Sequence, residues 1–430
     1  MPNFFGHSRM VRMVNGQATT ALCRVHAMES ERAKGKTLYL RNLGTNLPVV
    51  DLLYTHPRKH AGAVPLGSKI LVTGTNGYVA IWVIRTLLEQ GYIARGTVRS
   101  EAAKGAFLRD EFHSYGDRFE LAIVGDFLKE GAFDEAVKGV DAVQHLATPV
   151  IMNSKNPKDV IDPAIKGTLR VLRSAQEIPS VKRVILMGSA GAVVRRDVDR
   201  PLNEDDWNEA CVEEVEKQGS DANGHRIYHA TKVLSEKSAW SFYNENKNQL
   251  SWDLTVVLPS YVFGPYVGTA TSPSEMNSTS CMFYNFVVAF NTLGQPNEAL
   301  ASSRMPWIDV RDLSLAMGKL LSVEAAVERM ILSTDGSYTM QDWVDVANSL
   351  SPSPIPSQAP GTARALPKGN PGAGSAAKYP PLDTSKEKII LGLKYRTVEE
   401  CARDTVNVLT QQRMGINLVA ANHVVTRFLC

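Results

Sequence analysis

The chain has 430 residues, 44% of them hydrophobic and 21% charged, a balance that suits a globular protein with a large core and room for two or three domains. Its net charge of +3 gives no whole-chain field to draw it to nucleic acid or membrane, and no apolar run approaches the roughly 18 residues of a membrane span. Five scattered cysteines, with no Cys-x-x-Cys pair among them, indicate neither a disulfide framework nor a zinc site, so a reducing, cytoplasmic setting fits and no metal is expected.

Residues 1–66 carry nine Lys/Arg against three acids, a net +6 that leaves −3 for the remainder. Without periodicity, they read as a disordered leader or as residues ahead of the true start. The absence of acids before Glu29 gives a second reading, a mitochondrial transit peptide.

From Lys69 onward, short apolar runs alternate with amphipathic stretches, the pattern of βα units building a doubly wound parallel sheet. Strands are predicted over 69–73, 92–98, 119–124, 141–146, 181–187 and 252–258. Helices are predicted over 78–90, from about 101, over 132–138, 157–176 and 228–246. After Pro259 the pattern loosens into turns and shorter helices, as a smaller lobe would show. Residues 351–381 are rich in Pro, Gly, Ser and Ala and read as a flexible insertion; helical character returns over 382–412. The domain division expected is 1–66 as extension, 67–260 as nucleotide-binding domain, 261–415 as a mixed region with the substrate lobe, and 416–430 as tail.

The first strand runs directly into Thr73, Gly74, Thr75, Asn76, Gly77, Tyr78 and Val79, which open a helix. Gly74 permits a tight turn, Gly77 lets backbone approach a phosphate, and Ala80 permits close helix packing, the requirements of a dinucleotide pyrophosphate site. The second strand ends at Arg99 where an NAD site carries an acid, so the pattern points to the 2′-phosphate of NADP(H), with Lys104 as a further cation. Asp126, followed by Phe127, is placed to reach the adenine edge or to serve as a helix N-cap.

Tyr228 and Lys232 are spaced i, i+4 and share one helix face. An ammonium beside a phenol favours proton exchange near neutral pH, and small Ala230 leaves room for a cofactor. Tyr243 and Lys247 repeat the spacing, but Asn244, Asn246 and Asn248 suggest that Tyr243 faces solvent. Ser189, at the end of the strand over 181–187, completes the set as a hydroxyl that orients a carbonyl.

These residues resemble the extended short-chain dehydrogenase/reductase family, and most closely its aldehyde and ketone reductase branch with the methylglyoxal, dihydroflavonol 4- and cinnamoyl-CoA reductases. The resemblance spans residues 67–350 and 380–415. It rests on VTGTNGYVA, GTVRS, VGDF, HLATP at 145–149, MGSAGAV, YHATK, LPSYVFGP ending at Pro265, and WIDVRD at 307–312. It implies a Rossmann-type α/β fold with a C-terminal substrate lobe, and a catalytic Ser189, Tyr228 and Lys232. It further implies that Leu146, Ala147 and Thr148 line the cofactor cleft, that Pro259 and Val262 contact the nicotinamide side, and that Asp309 and Asp312 are structural. Gly188 departs from the family, where Ser or Thr is frequent.

The implied activity is NADPH-dependent reduction of a small aldehyde or ketone, in a monomer or homodimer. Residues 149–153, 190–194 and the aromatic Tyr261, Phe263 and Tyr266 are candidates for an apolar or aromatic pocket, though the aromatics could equally be core. The alternatives are a sugar-nucleotide epimerase or dehydratase with retained NAD, which Arg99 disfavours, and a non-catalytic dinucleotide sensor.

Overall fold

The computed structural model describes residues 63–148, 156–195, 198–324, 328–354, 365–376 and 379–411, all within one compact unit, His60–Cys430. In chain order the elements are β1 (Lys69–Thr73), α1 (Tyr78–Glu89), β2 (Ile93–Val98), α2 (Ala106–Glu111), β3 (Phe119–Ile123), β4 (Ala142–His145), α3 (Lys158–Gln176), β5 (Arg183–Met187), α4 (Glu209–Gln218) and α5 (Gly224–Asn246). They continue with β6 (Asp253–Pro259), β7 (Tyr261–Phe263), α6 (Ser278–Phe283), β8 (Arg304–Asp309), α7 (Val310–Ser322), β9 (Glu328–Leu332), β10 (Ser337–Thr339), α8 (Met340–Ser349), α9 (Ser385–Ile390) and α10 (Val398–Gln411).

Seven strands form one parallel sheet in the order β3-β2-β1-β4-β5-β6-β9. Alternate side chains enter opposite cores, as the two-residue period of a strand requires. Ile70, Val72, Ile185 and Met187 pack with residues of α1 and α7; Leu71, Val143, Val184 and Leu186 pack with residues of α3 and α5. Burial on both faces explains why these strands read as continuous apolar runs. A second, three-stranded sheet, β10-β8-β7, carries an aromatic core of Phe263, Phe283, Trp307, Tyr338 and Trp343. Among the described residues no helix is long and apolar enough to cross a membrane.

Several local expectations need correction. Residues 132–138 form hydrogen-bonded turns, not a helix, because Gly131 and Gly139, at φ 69° and 68°, bracket a segment too short to propagate one. Phe133, Ala136 and Val137 are still buried, so the apolar pattern is real but the backbone differs. The catalytic-motif helix begins at Gly224, with Asn223 accepting from the His225 amide at 2.8 Å, so Tyr228 lies in its second turn. At the upstream edge, Val64 is only 1% exposed and its amide donates to Leu321 at 2.7 Å, so the fold begins before residue 67. Within the expected flexible insertion, residues 365–376 dock on α8: Gln341 Nε2 donates to the Lys368 carbonyl, and the amides of Asn370 and Gly372 donate to Gln341 and Asp345, each at 2.8 Å. The expectations for residues 1–62 and for the 416–430 tail lie outside the described residues.

Candidate active site

Strand order reverses between β1 and β4, which opens a crevice beyond their carboxyl ends. Thr73 joins the two ends. Its hydroxyl oxygen accepts from the amides of Leu146 and Ala147, each at 3.1 Å, and contacts His145 Nδ1 at 2.8 Å. With both amides donating to Thr73, its proton goes to Nδ1 and the imidazole keeps its own on Nε2. Burial, aided by the charge of Lys232, lowers His145 to about 3, so it is neutral.

The glycine loop is held close to that joint. Gly74, at φ 71°, backs onto Ala147, where a Cβ would come within 3.1 Å of the Ala147 Cα. Its amide donates to Thr97 Oγ1 at 3.2 Å, while the Thr75 hydroxyl donates to Val72 at 3.2 Å. Tyr78 turns its ring away to stack on Tyr266, with centroids 6.2 Å apart, and donates to the Gly264 carbonyl at 2.9 Å. Thr73, Thr75 and Tyr78 therefore use their side chains on the frame. What the loop offers a pyrophosphate is backbone: Gly77 leads into α1 with no side-chain cap on the first amides, beside exposed Asn76 and part-buried Val79.

Arg99 and Lys104 are both exposed beyond β2, Lys104 on a single wide helical turn, Glu101–Gly105, that precedes α2. The Arg99 guanidinium lies 5.7 Å from the Phe127 ring centroid, and that ring packs on Gly167, where a Cβ would come within 2.8 Å of it. Asp126 accepts from the Leu128 amide at 2.9 Å and so caps a turn, where a helix N-cap was the expected alternative.

Ser189 follows the end of β5 and accepts from the Gly191 amide at 3.0 Å. It also hydrogen-bonds the half-buried Tyr228 phenol. One turn on, Lys232 Nζ donates to Thr148 Oγ1 at 3.1 Å and to the Met187 carbonyl at 3.3 Å, and lies 5.9 Å from the Tyr228 ring centroid. Burial lowers the ammonium to about 8, with Glu236 acting in the opposite direction. Burial raises the phenol, opposed by its bond to Ser189. The lowering of Tyr228 expected from Lys232 is not seen here, where burial prevails. The three side chains meet at the crevice lined by Leu146–Thr148, with buried Pro259 ending β6 and Val262 in β7.

Residues 70–331 match the NAD dependent epimerase/dehydratase family. The chain belongs to that family. It is 34% identical over 292 residues to aldehyde reductase 2 of Sporidiobolus salmonicolor, covering 65% of this chain and 79% of that protein. It is 31% identical to tetraketide alpha-pyrone reductase 1 of Arabidopsis thaliana, covering 80% of this chain and 96% of that protein. The crystal structure of a yeast methylglyoxal/isovaleraldehyde reductase complexed with NADPH is similar at a TM-score of 0.65 and 27% identity, over 80% of this chain and 99% of that one.

Within this family member, Gly188 has a packing cause. A Cβ there would come within 2.8 Å of Leu258 Cδ2 and 3.1 Å of the Val257 carbonyl, so Leu258 fills the space a side chain would need. Ala230 does not face the crevice; it is fully buried in a cluster with Ala192, Cys211 and Val233. Tyr243 is 5% exposed, packed between Trp240 and Trp252, because it continues the buried stripe of Glu236 and Ala239 while the asparagines occupy other faces. Phe263 is core, stacked beside Tyr261, and Tyr266 is engaged by Tyr78, so these aromatics serve packing. Asp309 caps α7 and pairs with Arg311; Asp312 pairs with Arg396, fitting structural roles. Residues 149–153 of the expected pocket lie outside the described residues. Sequence reasoning overlooked Glu236, although its i+4 spacing from Lys232 was a usable signal.

Proposed function

We propose that this chain reduces an aldehyde or ketone carbonyl to an alcohol with NADPH, and that Tyr228 donates the proton. The observation that carries this is the meeting of Ser189, Tyr228 and Lys232 beside the glycine loop, with Lys232 bonded to both Thr148 and Met187. The crevice suits the dinucleotide: Gly74 lets the loop lie against Ala147 where a side chain would clash, and the exposed cations Arg99 and Lys104 beyond β2 would face a 2′-phosphate. The α1 amides from Tyr78 onward would take the pyrophosphate, and Leu146–Thr148 the adjoining wall.

NADPH, when bound, supplies the hydride. Ser189 hydrogen-bonds the substrate oxygen and keeps it against Tyr228. The phenol then gives its proton to that oxygen as the alcohol forms. Lys232 holds charge beside the phenol and eases release of the proton. A nucleotide-binding portion over 67–260 and a substrate lobe within 261–415 go with this assignment.

The test is loss of NADPH absorbance against a panel of small aldehydes, diketones and aromatic ketones. Turnover that needs added NADPH and prefers it to NADH supports the proposal. Purification with tightly retained NAD, and turnover without added coenzyme, would instead make the protein an epimerase or dehydratase.

A further inference from the structure

Arg329 stands on β9, an edge strand of the large sheet, yet it grips the helix of the Tyr/Lys pair. Its Nε donates to Glu236 Oε1 at 2.7 Å and its Nη2 to Oε2 at 3.3 Å. Its guanidinium carbon lies 3.8 Å from the Trp207 ring centroid, and its Nη1 donates to the carbonyls of Glu204 and Asp206. Trp240 Nε1 adds a bond of 3.1 Å to Glu236. Glu236 is 1% exposed and Arg329 8%. Desolvating two such ions is costly, and an apolar pair of equal volume would fasten α5 to the sheet at less cost. Packing alone does not account for the pair.

Glu236 follows Lys232 by one helical turn on the same face, and Lys232 is itself only 5% exposed. The other titratable groups facing Lys232 are Tyr228 on the same helix and neutral His145 on β4. Its remaining partners, Thr148 and Met187, bring no charge. We propose that Glu236, clamped by Arg329, is a positioning residue for Lys232: it supplies the counter-charge that keeps a buried ammonium charged beside Tyr228, and the clamp fixes where that charge sits. This rests on the Tyr228/Lys232 assignment made above.

Burial lowers Lys232 and Glu236 acts against the lowering, so loss of the anion moves the ammonium's titration toward lower pH. Glu236→Gln alone strands the Arg329 cation, so it is paired with the double variant Glu236→Gln/Arg329→Met; Glu236→Asp retains the charge as a rescue control. Two readouts are needed. One is the pH titration of the Lys232 Cε resonance in protein labelled with 13C-lysine and free of coenzyme, assigned with Lys232→Arg. The other is the alkaline limb of the pH profile for NADPH-dependent turnover, which belongs to the Tyr228/Lys232 pair as a unit. Both should fall by about one pH unit in whichever charge-removing variant folds, and return in Glu236→Asp. A Lys232 titration that stays in place in a folded charge-removing variant overturns the proposal. A moved titration with an unmoved activity limb supports the Glu236–Lys232 link and counts against the catalytic assignment.

Discussion

The Lys232 ammonium donates to the Met187 carbonyl at 3.3 Å, which ties the helix bearing Tyr228 to the strand that ends two residues before Ser189. Three side chains from distant stretches of sequence thereby share one frame. The same ammonium reaches Thr148 beyond β4, so the frame extends to the wall of the nucleotide crevice.

That placement has a stability cost with a defined pH window. The folded ammonium titrates at about 8, below its ordinary 10.5, so the cost is full below pH 8. It is relieved as pH climbs from about 8 through 10.5. Allowing for two lost hydrogen bonds, Lys232→Met should stabilise the protein by roughly 1–2 kcal/mol near pH 7 while abolishing turnover. Urea unfolding at both ends of the window checks this. A gain that persists undiminished at the alkaline end would contradict the burial assignment.

Arg99 is exposed and supported from one side by Phe127, as a cation awaiting an anion would be. Arg99→Ala should weaken NADPH binding on the order of tenfold to a hundredfold and leave NADH binding nearly unchanged. Titration of nicotinamide fluorescence with each coenzyme measures the difference. Equal losses for both would remove Arg99 from the 2′-phosphate site.

The contact of Gly188 with Leu258 makes a prediction about packing. Gly188→Ser should cost about 1–3 kcal/mol, because the new Cβ meets Leu258 Cδ2 and the Val257 carbonyl. Leu258→Val in the same chain should recover part of that loss. Urea midpoints of the single and double variants decide it; additive losses would show that Leu258 is not the obstacle.

Much of this architecture was legible because β1, β4, β5 and β6 are buried on both faces and leave unbroken apolar runs. The glycine loop was legible because its position between strand and helix carries the signal, more than glycine itself. What escaped was set by contacts across the sequence. Tyr243 is buried by Trp252, which its polar neighbours in sequence do not reveal. Ala230 is small because it packs among Ala192 and Cys211, not because a cofactor needs its space. The Glu236–Arg329 pair joins residues 93 apart, and nothing local to either announces the other. Residues 365–376, poor in apolar surface, are ordered by hydrogen bonds to Gln341 and Asp345.

The central claim is that the Tyr228 phenol delivers the proton to the carbonyl oxygen. Tyr228→Phe removes that one hydroxyl from a half-buried ring and leaves the glycine loop and Arg99 in place. NADPH binding and NADPH-dependent carbonyl reduction should be measured side by side on this variant. Binding within a few-fold of the parent, with turnover lowered at least about a hundredfold, is the expected result. Turnover at the parent rate would contradict the assignment.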